Sequence, residues 1–223
     1  MKGTCLVEGD AVEAMSAMED GSFDAVLTDP PYGIGFPYLG YEDTRENLVR
    51  LLARAMPQMR RVARRVYVLP GITQVSLYPE PDWIACVTWD TTGAHGKYGF
   101  TQWMPVLCYG PDVEGFARLP SGMLKSDVLR ISGGAGVGFM RSAAEKGHTC
   151  PKPLNLMRLL VRRLCRQGEK ILDPFAGSGT TLVAAAMEYC QATGIEREPE
   201  YCKLIRRRLA SQEPLLEWGD GQG

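Results

Sequence analysis

The sequence lacks the features that mark membrane, secreted and zinc-binding proteins. Its 223 residues contain no apolar stretch long enough to span a bilayer, and the N-terminus has no charged-then-apolar signal pattern. The seven cysteines are scattered and form no Cys-x-x-Cys pair, so neither a disulfide framework nor a zinc site is expected. We therefore expect a cytoplasmic protein with no membrane association and no metal.

An excess of positive charge is also missing. The 25 Lys and Arg residues are balanced by 26 Asp and Glu residues, and the net charge of −1 gives no indication of nucleic-acid binding. Arginines do cluster locally near residues 60–65, 158–166 and 206–208, where we expect mostly solvated helix faces. A hydrophobic fraction of 45% is enough for a full core. The length predicts a single domain over residues 1–223.

A glycine turn at residues 170–181 lacks the signatures of phosphate-binding loops. No lysine follows Gly179, which excludes a Walker loop, and Leu182 stands where a dinucleotide fingerprint needs its third glycine. An ordinary strand-to-helix turn remains the simplest alternative for an isolated Gly-x-Gly. However, Asp173 precedes the turn, and Glu196 follows the next apolar stretch about 20 positions later, as in ribose-binding sites. Together they describe a nucleoside site without a phosphate, which suits S-adenosyl-L-methionine.

The most informative segment that is present covers residues 29–32, Asp-Pro-Pro-Tyr, directly after the apolar run 23–28. Two prolines make a stiff, extended turn whose carbonyls have little freedom of direction. The Asp29 carboxylate and the Pro30 carbonyl could accept both hydrogens of one amino group, and the Tyr32 ring could stack on the ring that carries it. The segment therefore suits chemistry on the exocyclic amine of a planar base.

Apolar runs alternate with helical patterns along the chain, which predicts an α/β fold with a mostly parallel sheet. We expect ligands beyond the carboxyl ends of the strands. Asp10 with Glu13 predicts a helix cap, and Asp43 with Glu46 predicts another, opening a helix that Pro57 interrupts. Candidate strands lie at about 4–7, 23–28, 65–69, 83–89, 103–109, 169–173 and 191–196.

The two motifs as a pair resemble the amino-methyltransferases of DNA, which methylate adenine N6 or cytosine N4. The Asp-Pro-Pro-Tyr segment precedes the glycine turn, which is similar to the permuted β group of that family. The resemblance extends from Gly9 to about Leu209, and residues 148–153 resemble the family's His-Pro-x-x-Lys-Pro segment but depart from it at Thr149. It implies a Rossmann-like S-adenosylmethionine-dependent methyltransferase fold with a seven-stranded, mostly parallel sheet.

The resemblance also implies roles for individual residues. The amino-acid part of the cofactor is expected at Asp173 and the following amides, the ribose at Glu196, the adenine at Asp10, and the methionine carboxylate or a phosphate at Lys152. Asp10 serves equally well as a plain helix cap. The expected catalytic residues are Asp29, Pro30, Pro31 and Tyr32. The expected cofactor-binding residues are Asp10, Asp29, Lys152, Asp173, Phe175, Ala176, Gly177, Ser178, Gly179, Thr180 and Glu196.

Residues 110–150 break the strand–helix alternation and include the glycine-rich run 133–138. A surface loop accounts for them as well as the alternative, which is the target-recognition region that the β group carries at this position. A base-reading insertion this small would imply a short recognition sequence, a homodimer or weak sequence specificity.

Within the family, Asp at the first motif position favours adenine. We therefore expect a restriction–modification type of enzyme that methylates adenine N6 in double-stranded DNA after flipping the base. The alternatives are cytosine N4, an amine in RNA or protein, and a catalytically silent DNA-binding protein. Methylation of cytosine carbon needs a cysteine nucleophile, normally in a Pro-Cys step, and none occurs.

Overall fold

The computed structural model describes residues 3–89, 95–96, 99–111, 126–131 and 152–211. Its centre is an eight-stranded sheet in the order β1-β12-β11-β2-β5-β9-β6-β10. These strands are β1 (Thr4–Glu8), β2 (Phe23–Thr28), β5 (Ala63–Val68), β6 (Trp83–Trp89), β9 (Trp103–Tyr109), β10 (Val128–Ile131), β11 (Lys170–Asp173) and β12 (Gln191–Glu196). Two hairpins lie outside the sheet: β3 (Pro37–Tyr38) with β4 (Tyr41–Glu42), and β7 (His95–Gly96) with β8 (Gly99–Phe100).

Every pairing in the main sheet is parallel except the two that β9 makes, with β5 and with β6. All seven predicted strands are present, and the predicted fold class is confirmed. The predicted number of strands was one too few, because β10 adds an eighth strand beside β6. This strand has only four residues with alternating burial, too short a pattern to stand out within the 110–150 segment. Most of the rest of that segment lies outside the described residues.

Helices cover both faces of the sheet. On one face lie α1 (Ala11–Ser16) and α2 (Arg45–Val62), which share a core with Val26, Val66 and Leu172. On the other face lie α3 (Leu154–Leu164), α4 (Thr180–Met187) and part of α5 (Pro199–Ser211). This two-sided cover explains why the central strands β2 and β11 bury consecutive residues instead of every second one.

The predictions for α2 were wrong in two respects. The helix continues through Pro57 to Val62, with Pro57 exposed and its neighbours Met56 and Met59 buried, so packing of the apolar face outweighs the lost backbone hydrogen bond. Its N-cap is Thr44, whose hydroxyl accepts from the Asn47 amide at 3.2 Å. The Asp43 carboxylate turns away from the helix and binds the preceding loop instead.

The described residues contain no helix that is both long and apolar enough to cross a membrane. Six cysteines fall within the described ranges and all are free thiols, whereas Cys150 lies outside these ranges.

Candidate active site

The two motifs meet at one edge of the sheet because β2 and β11 are neighbours. Ala25 pairs with Ile171 and Val26 with Leu172 in parallel register, so the segments that follow both strands leave at the same edge. Between them lies a cavity of about 430 Å³, lined by Asp29 from one segment and Gly177 from the other. This volume falls within the usual range of small-molecule sites. The structure therefore brings two stretches about 150 residues apart in sequence into one cleft.

Most of the predicted site residues line this cavity, but three do not. Pro30 is buried, and neither Tyr32 nor Gly179 is part of the cavity wall. In the segment 148–153, which resembles the family's His-Pro-x-x-Lys-Pro segment, residues 148–151 lie outside the described residues. The predicted residues that line the cavity are Asp10, Asp29, Pro31, Lys152, Asp173, Phe175, Ala176, Gly177, Ser178, Thr180 and Glu196.

Both oxygens of the Asp29 carboxylate have a side-chain partner. The Tyr32 hydroxyl donates to Oδ1 at 2.7 Å, and the Lys152 ammonium contacts Oδ2 at 2.5 Å. The same ammonium lies 5.1 Å from the centre of the Tyr32 ring. Lys152 is thus paired with Asp29, a partner that the sequence did not suggest. The three side chains form a compact polar cluster at the end of β2.

Tyr32 is held in its protonated form. Burial and then the Asp29 carboxylate raise the pKa of the phenol well above its usual value, while Lys152 lowers it. The hydroxyl is therefore a hydrogen-bond donor at neutral pH, and its ring packs beside Gly71. A donor on Oδ1 fixes the plane of the Asp29 carboxylate.

Asp173 is buried below the glycine turn. Its Oδ1 accepts from the Thr28 hydroxyl at 2.7 Å and from the Phe175 amide at 3.1 Å. The pKa of Asp173 is raised to about 6, chiefly by burial and to a smaller extent by the Asp29 carboxylate, against hydrogen bonds from Thr181, Thr28 and the Phe175 amide that lower it. A buried carboxylate in this state gains from a cationic ligand, which would replace its lost hydration.

The glycine turn joins β11 to α4 in a shape that requires glycine. Gly179 has a φ of 78° and directly precedes the helix, and a side chain there would lie 2.9 Å from an Ile205 carbon. Gly177 also has a positive φ, 52°, and its amide donates to Glu196 Oε2 at 2.7 Å. The turn is thereby tied to the end of β12.

Glu196 accepts a second backbone hydrogen bond at its other oxygen, from the Glu198 amide at 2.8 Å. Burial raises the pKa of Glu196, against the hydrogen bonds from these amides, which lower it. A carboxylate can accept about four hydrogen bonds, so each oxygen retains capacity for a hydroxyl from a ligand.

Asp10 is the predicted helix cap, whereas its predicted contact with adenine stays a prediction. Its Oδ1 caps α1 by accepting from the Val12 amide at 2.9 Å and the Glu13 amide at 3.1 Å. The residue also lines the cavity. The cap fixes the position of the carboxylate.

The β3–β4 hairpin forms part of the cavity wall that the sequence did not indicate. Residues 38–42 line the cavity, and a side-chain carbon added at the hairpin tip, Gly40, would lie 2.4 Å from Glu198 Oε1. The loop before the hairpin is bound to the buried Asp43 carboxylate, which accepts from the amides of Gly33 at 2.7 Å and of Ile34 and Phe36 at 3.0 Å. The chain after Tyr32 thus folds back over the cleft.

Arg208 is a second residue that the sequence analysis missed. Its guanidinium is buried, and it donates to the Ser178 carbonyl and to the Thr180 hydroxyl, the latter at 3.4 Å. The arginine therefore links α5 to the glycine turn. A signal existed: Tyr201, Cys202, Ile205 and Arg208 are all buried at helical spacing on α5, so Arg208 falls on the inward stripe.

Comparisons with known proteins identify similar sequences and folds. The family N6_N4_Mtase, described as DNA methylase, matches residues 117–207. Type II methyltransferase M.HpaI of Haemophilus parainfluenzae is 26% identical over 242 aligned positions, covering 93% of this chain and 74% of that protein.

Solved structures share the fold over nearly the whole chain. TTHA0409 from Thermus thermophilus, in complex with S-adenosyl-L-methionine, is 25% identical with a TM-score of 0.65, and the match covers 96% of each chain. The cytosine-N4-specific PvuII DNA methyltransferase is 16% identical with a TM-score of 0.69, covering 98% of this chain and 88% of that one. The second match concerns the fold alone.

Proposed function

We propose that this chain, a DNA amino-methyltransferase of the N6-adenine or N4-cytosine type that uses S-adenosyl-L-methionine, methylates N6 of adenine in duplex DNA. The family match and the curated relatives confirm the predicted resemblance and its cofactor. The observation that supports the proposal most directly is the shared cavity, which joins the Asp29 segment to the glycine turn. Methyl transfer needs its donor and its acceptor in one such cleft.

Asp29 and the Pro30 carbonyl would bind the target amine. The lone pair of an aromatic amine is delocalised into its ring, so the amine is a poor nucleophile. Two hydrogen bonds, from its N–H groups to Asp29 and to Pro30, would draw the nitrogen towards tetrahedral geometry and free the lone pair for in-line attack. The proton leaves after transfer, towards Asp29 or water. The chain contributes mainly position and a matched electrostatic field.

The residues along the glycine turn would hold the cofactor, which supplies a methyl group on a positively charged sulfur. Asp173 would bind the ammonium of its amino-acid part. The glycine turn, whose Phe175 and Gly177 amides already donate to Asp173 and Glu196, would form the wall beside it. Glu196 would accept from the ribose hydroxyls, and Asp10 would contact the adenine. The burial of Asp173 and Glu196 supports these roles, because buried carboxylates need donors to replace water.

The target base must leave the duplex to reach Asp29. Tyr32, which lies beside Asp29 but outside the cavity wall, would be its stacking platform once the base is bound. Two exposed arginines of α2, Arg50 and Arg54, lie at the cavity rim and would contact phosphates. The role of residues 110–150 in reading the target sequence stays a prediction, because most of that segment lies outside the described residues. Homodimer formation also stays a prediction.

Adenine is favoured over cytosine because Asp29 begins the catalytic segment, the choice that goes with adenine in the family that the sequence resembles. The fold itself is compatible with either base, since a cytosine-N4-specific enzyme shares it. Incubating unmethylated duplex DNA with isotope-labelled cofactor and analysing the nucleosides distinguishes the two. N6-methyladenine supports the proposal, whereas N4-methylcytosine as the sole labelled product would contradict it.

The Asp29→Ala variant tests the assigned chemistry. We expect methyl transfer to be lost while S-adenosylhomocysteine still binds, because Asp29 would act on the amine and other residues hold the cofactor. Removing positioned acid–base and hydrogen-bonding groups typically costs factors of about 10² to 10⁴ in rate. The exposed Asp20→Asn variant is the matched control and should retain full activity. An active Asp29→Ala enzyme would remove Asp29 from the mechanism.

A further inference from the structure

The acceptor site proposed for the target amine is already filled by the protein itself. Asp29 Oδ2 bonds the Lys152 ammonium at 2.5 Å, and Oδ1 bonds the Tyr32 hydroxyl at 2.7 Å. The side chains of Lys152 and Asp29 are only 17% and 24% exposed, so water weakens their contact little. The ammonium carries a full positive charge, so its contact with the carboxylate includes a Coulomb attraction that a neutral amine lacks. A neutral aromatic amine therefore competes poorly with Lys152 for Oδ2.

Within the same cavity, a bound cofactor would offer the Lys152 ammonium a second partner. Lys152 lines the wall together with Asp173, Gly177 and Ser178, where the amino-acid part of the cofactor is proposed to bind. That part carries a carboxylate, which is a partner of the same kind as Asp29. The lysine stem is flexible, so its ammonium can exchange one carboxylate for the other.

We infer that the Lys152 ammonium blocks Asp29 Oδ2 in the free protein and moves to the carboxylate of the cofactor when the cofactor binds. We call this contact between Lys152 and Asp29 the latch. The acceptor for the target amine is then exposed only after the cofactor has bound. The inference rests on the proposed role of Asp29. Tyr32 stays on Oδ1 throughout, since its phenol remains a donor, and Oδ2 becomes available to the amine. The cofactor would then bind before the target base.

The latch makes an unusual prediction about a ligand that lacks the transferable methyl group. In the free protein, Asp29 competes with S-adenosylhomocysteine for Lys152, so removing the Asp29 charge should tighten binding of this ligand. By calorimetry, we expect Asp29→Asn to bind S-adenosylhomocysteine about tenfold more tightly than the unchanged protein, the size of effect typical of one charge-assisted hydrogen bond. 5′-Methylthioadenosine, which lacks the amino-acid carboxylate, should bind both proteins equally.

A double-mutant cycle separates the latch from simple charge repulsion between Asp29 and the ligand. In the Lys152→Met background, the Asp29→Asn change should no longer tighten the binding of S-adenosylhomocysteine. In the Lys170→Met background the tightening should persist, because Lys170 is exposed at the start of β11, at the opposite end of this strand from Asp173. An equal effect of Asp29→Asn with and without Lys152 would overturn the latch.

A crystal structure with S-adenosylhomocysteine gives an independent readout. The latch requires the Lys152 nitrogen to lie within hydrogen-bond distance of the ligand carboxylate and away from Asp29. A Lys152 that remains on Asp29 in that complex contradicts it. None of these measurements uses DNA, so they do not depend on which base is methylated. A failure of the proposed adenine methylation would appear separately, in the nucleoside analysis.

Discussion

Asp173 shows how one residue can make the site sensitive to pH. Burial raises the pKa of its carboxyl to about 6, so the group begins to take up a proton just below neutral pH. The proposed ligand group at this position is an ammonium, which binds the ionised form. Binding and ionisation are therefore linked, and protonation of Asp173 competes with the cofactor.

We expect affinity for S-adenosylhomocysteine to weaken as pH falls below about 6, approaching tenfold per pH unit if only the ionised Asp173 binds. Affinity falls towards low pH because Asp173 takes up a proton more readily in the free protein than in the complex, where it faces the ligand ammonium. Calorimetric titration between pH 5 and about 7.5 measures the dependence. Asp173→Asn should bind weakly with a flat profile in this range. A profile in the unchanged protein as flat as that of Asp173→Asn would contradict this role for Asp173.

Single residues also show where sequence reasoning was strong and where it failed. Asp29, Asp173 and Glu196 were identified because each follows an apolar run, and the ends of such runs meet at one sheet edge. Arg65 and Arg208 were assigned to arginine clusters on solvated helix faces, yet both are buried. Arg65 bonds Glu169 at 2.6 Å and the Leu164 carbonyl at 3.0 Å, and such distant partners have no local signature in sequence.

At the scale of elements, the Asp43-bound loop explains how the hairpin β3–β4 reaches the cavity. The Asp43 carboxylate is only 2% exposed and accepts from three backbone amides, and the Gly35 amide donates to its carbonyl at 2.7 Å. These bonds fix a turn that directly follows Tyr32. The hairpin thereby forms one structural unit with the proposed catalytic segment.

Replacing Asp43 with Asn should therefore loosen the hairpin. The amide nitrogen of Asn cannot accept a hydrogen bond, so at least one of the three loop amides loses its partner, at a cost of about 1–3 kcal/mol in the free energy of unfolding. We also expect weaker binding of S-adenosylhomocysteine, because residues 38–42 line the cavity. Denaturant unfolding and calorimetry measure the two effects. If stability falls while affinity stays unchanged, the hairpin does not help to hold the cofactor.

The element-level errors share a physical cause, which is tertiary packing. Pro57 was expected to interrupt α2, but the helix buries Met56, Met59 and Val62 against the sheet and this gain outweighs the missing hydrogen bond. The strand β10 was missed because its four residues gain stability only by pairing with β6. The other seven strands of the main sheet were predicted from apolar runs between turn residues.

At the scale of the whole molecule, the cavity lies where the two helical layers meet the edge of the sheet. Asp10 and Leu51 reach it from the α1–α2 side, whereas Thr180 and Tyr201 reach it from the α4–α5 side. The layers otherwise form separate hydrophobic clusters on opposite faces of the sheet. A ligand in the cavity would therefore contact elements from both layers at once.

Such a ligand should stabilise the fold as a whole. For a ligand that binds only the folded state, the gain is about 2.7 kcal/mol at a concentration of 100 times the dissociation constant. For a chain of this length, that corresponds to a rise in melting temperature of roughly 5–10 °C. We expect S-adenosylhomocysteine to produce such a rise in calorimetric melting, in one transition that includes both layers.

Hydrogen exchange identifies which part of the chain responds. Amides of α1 and of α4 should both gain protection in the presence of S-adenosylhomocysteine, because the ligand would bridge the carboxyl edge between them. The Asp173→Asn variant, measured at the same ligand concentration, should show a smaller rise in melting temperature. Protection confined to α4 and the glycine turn would mean that the ligand contacts one layer only. It would then remove Asp10 from the binding site and leave it with the single role of capping α1.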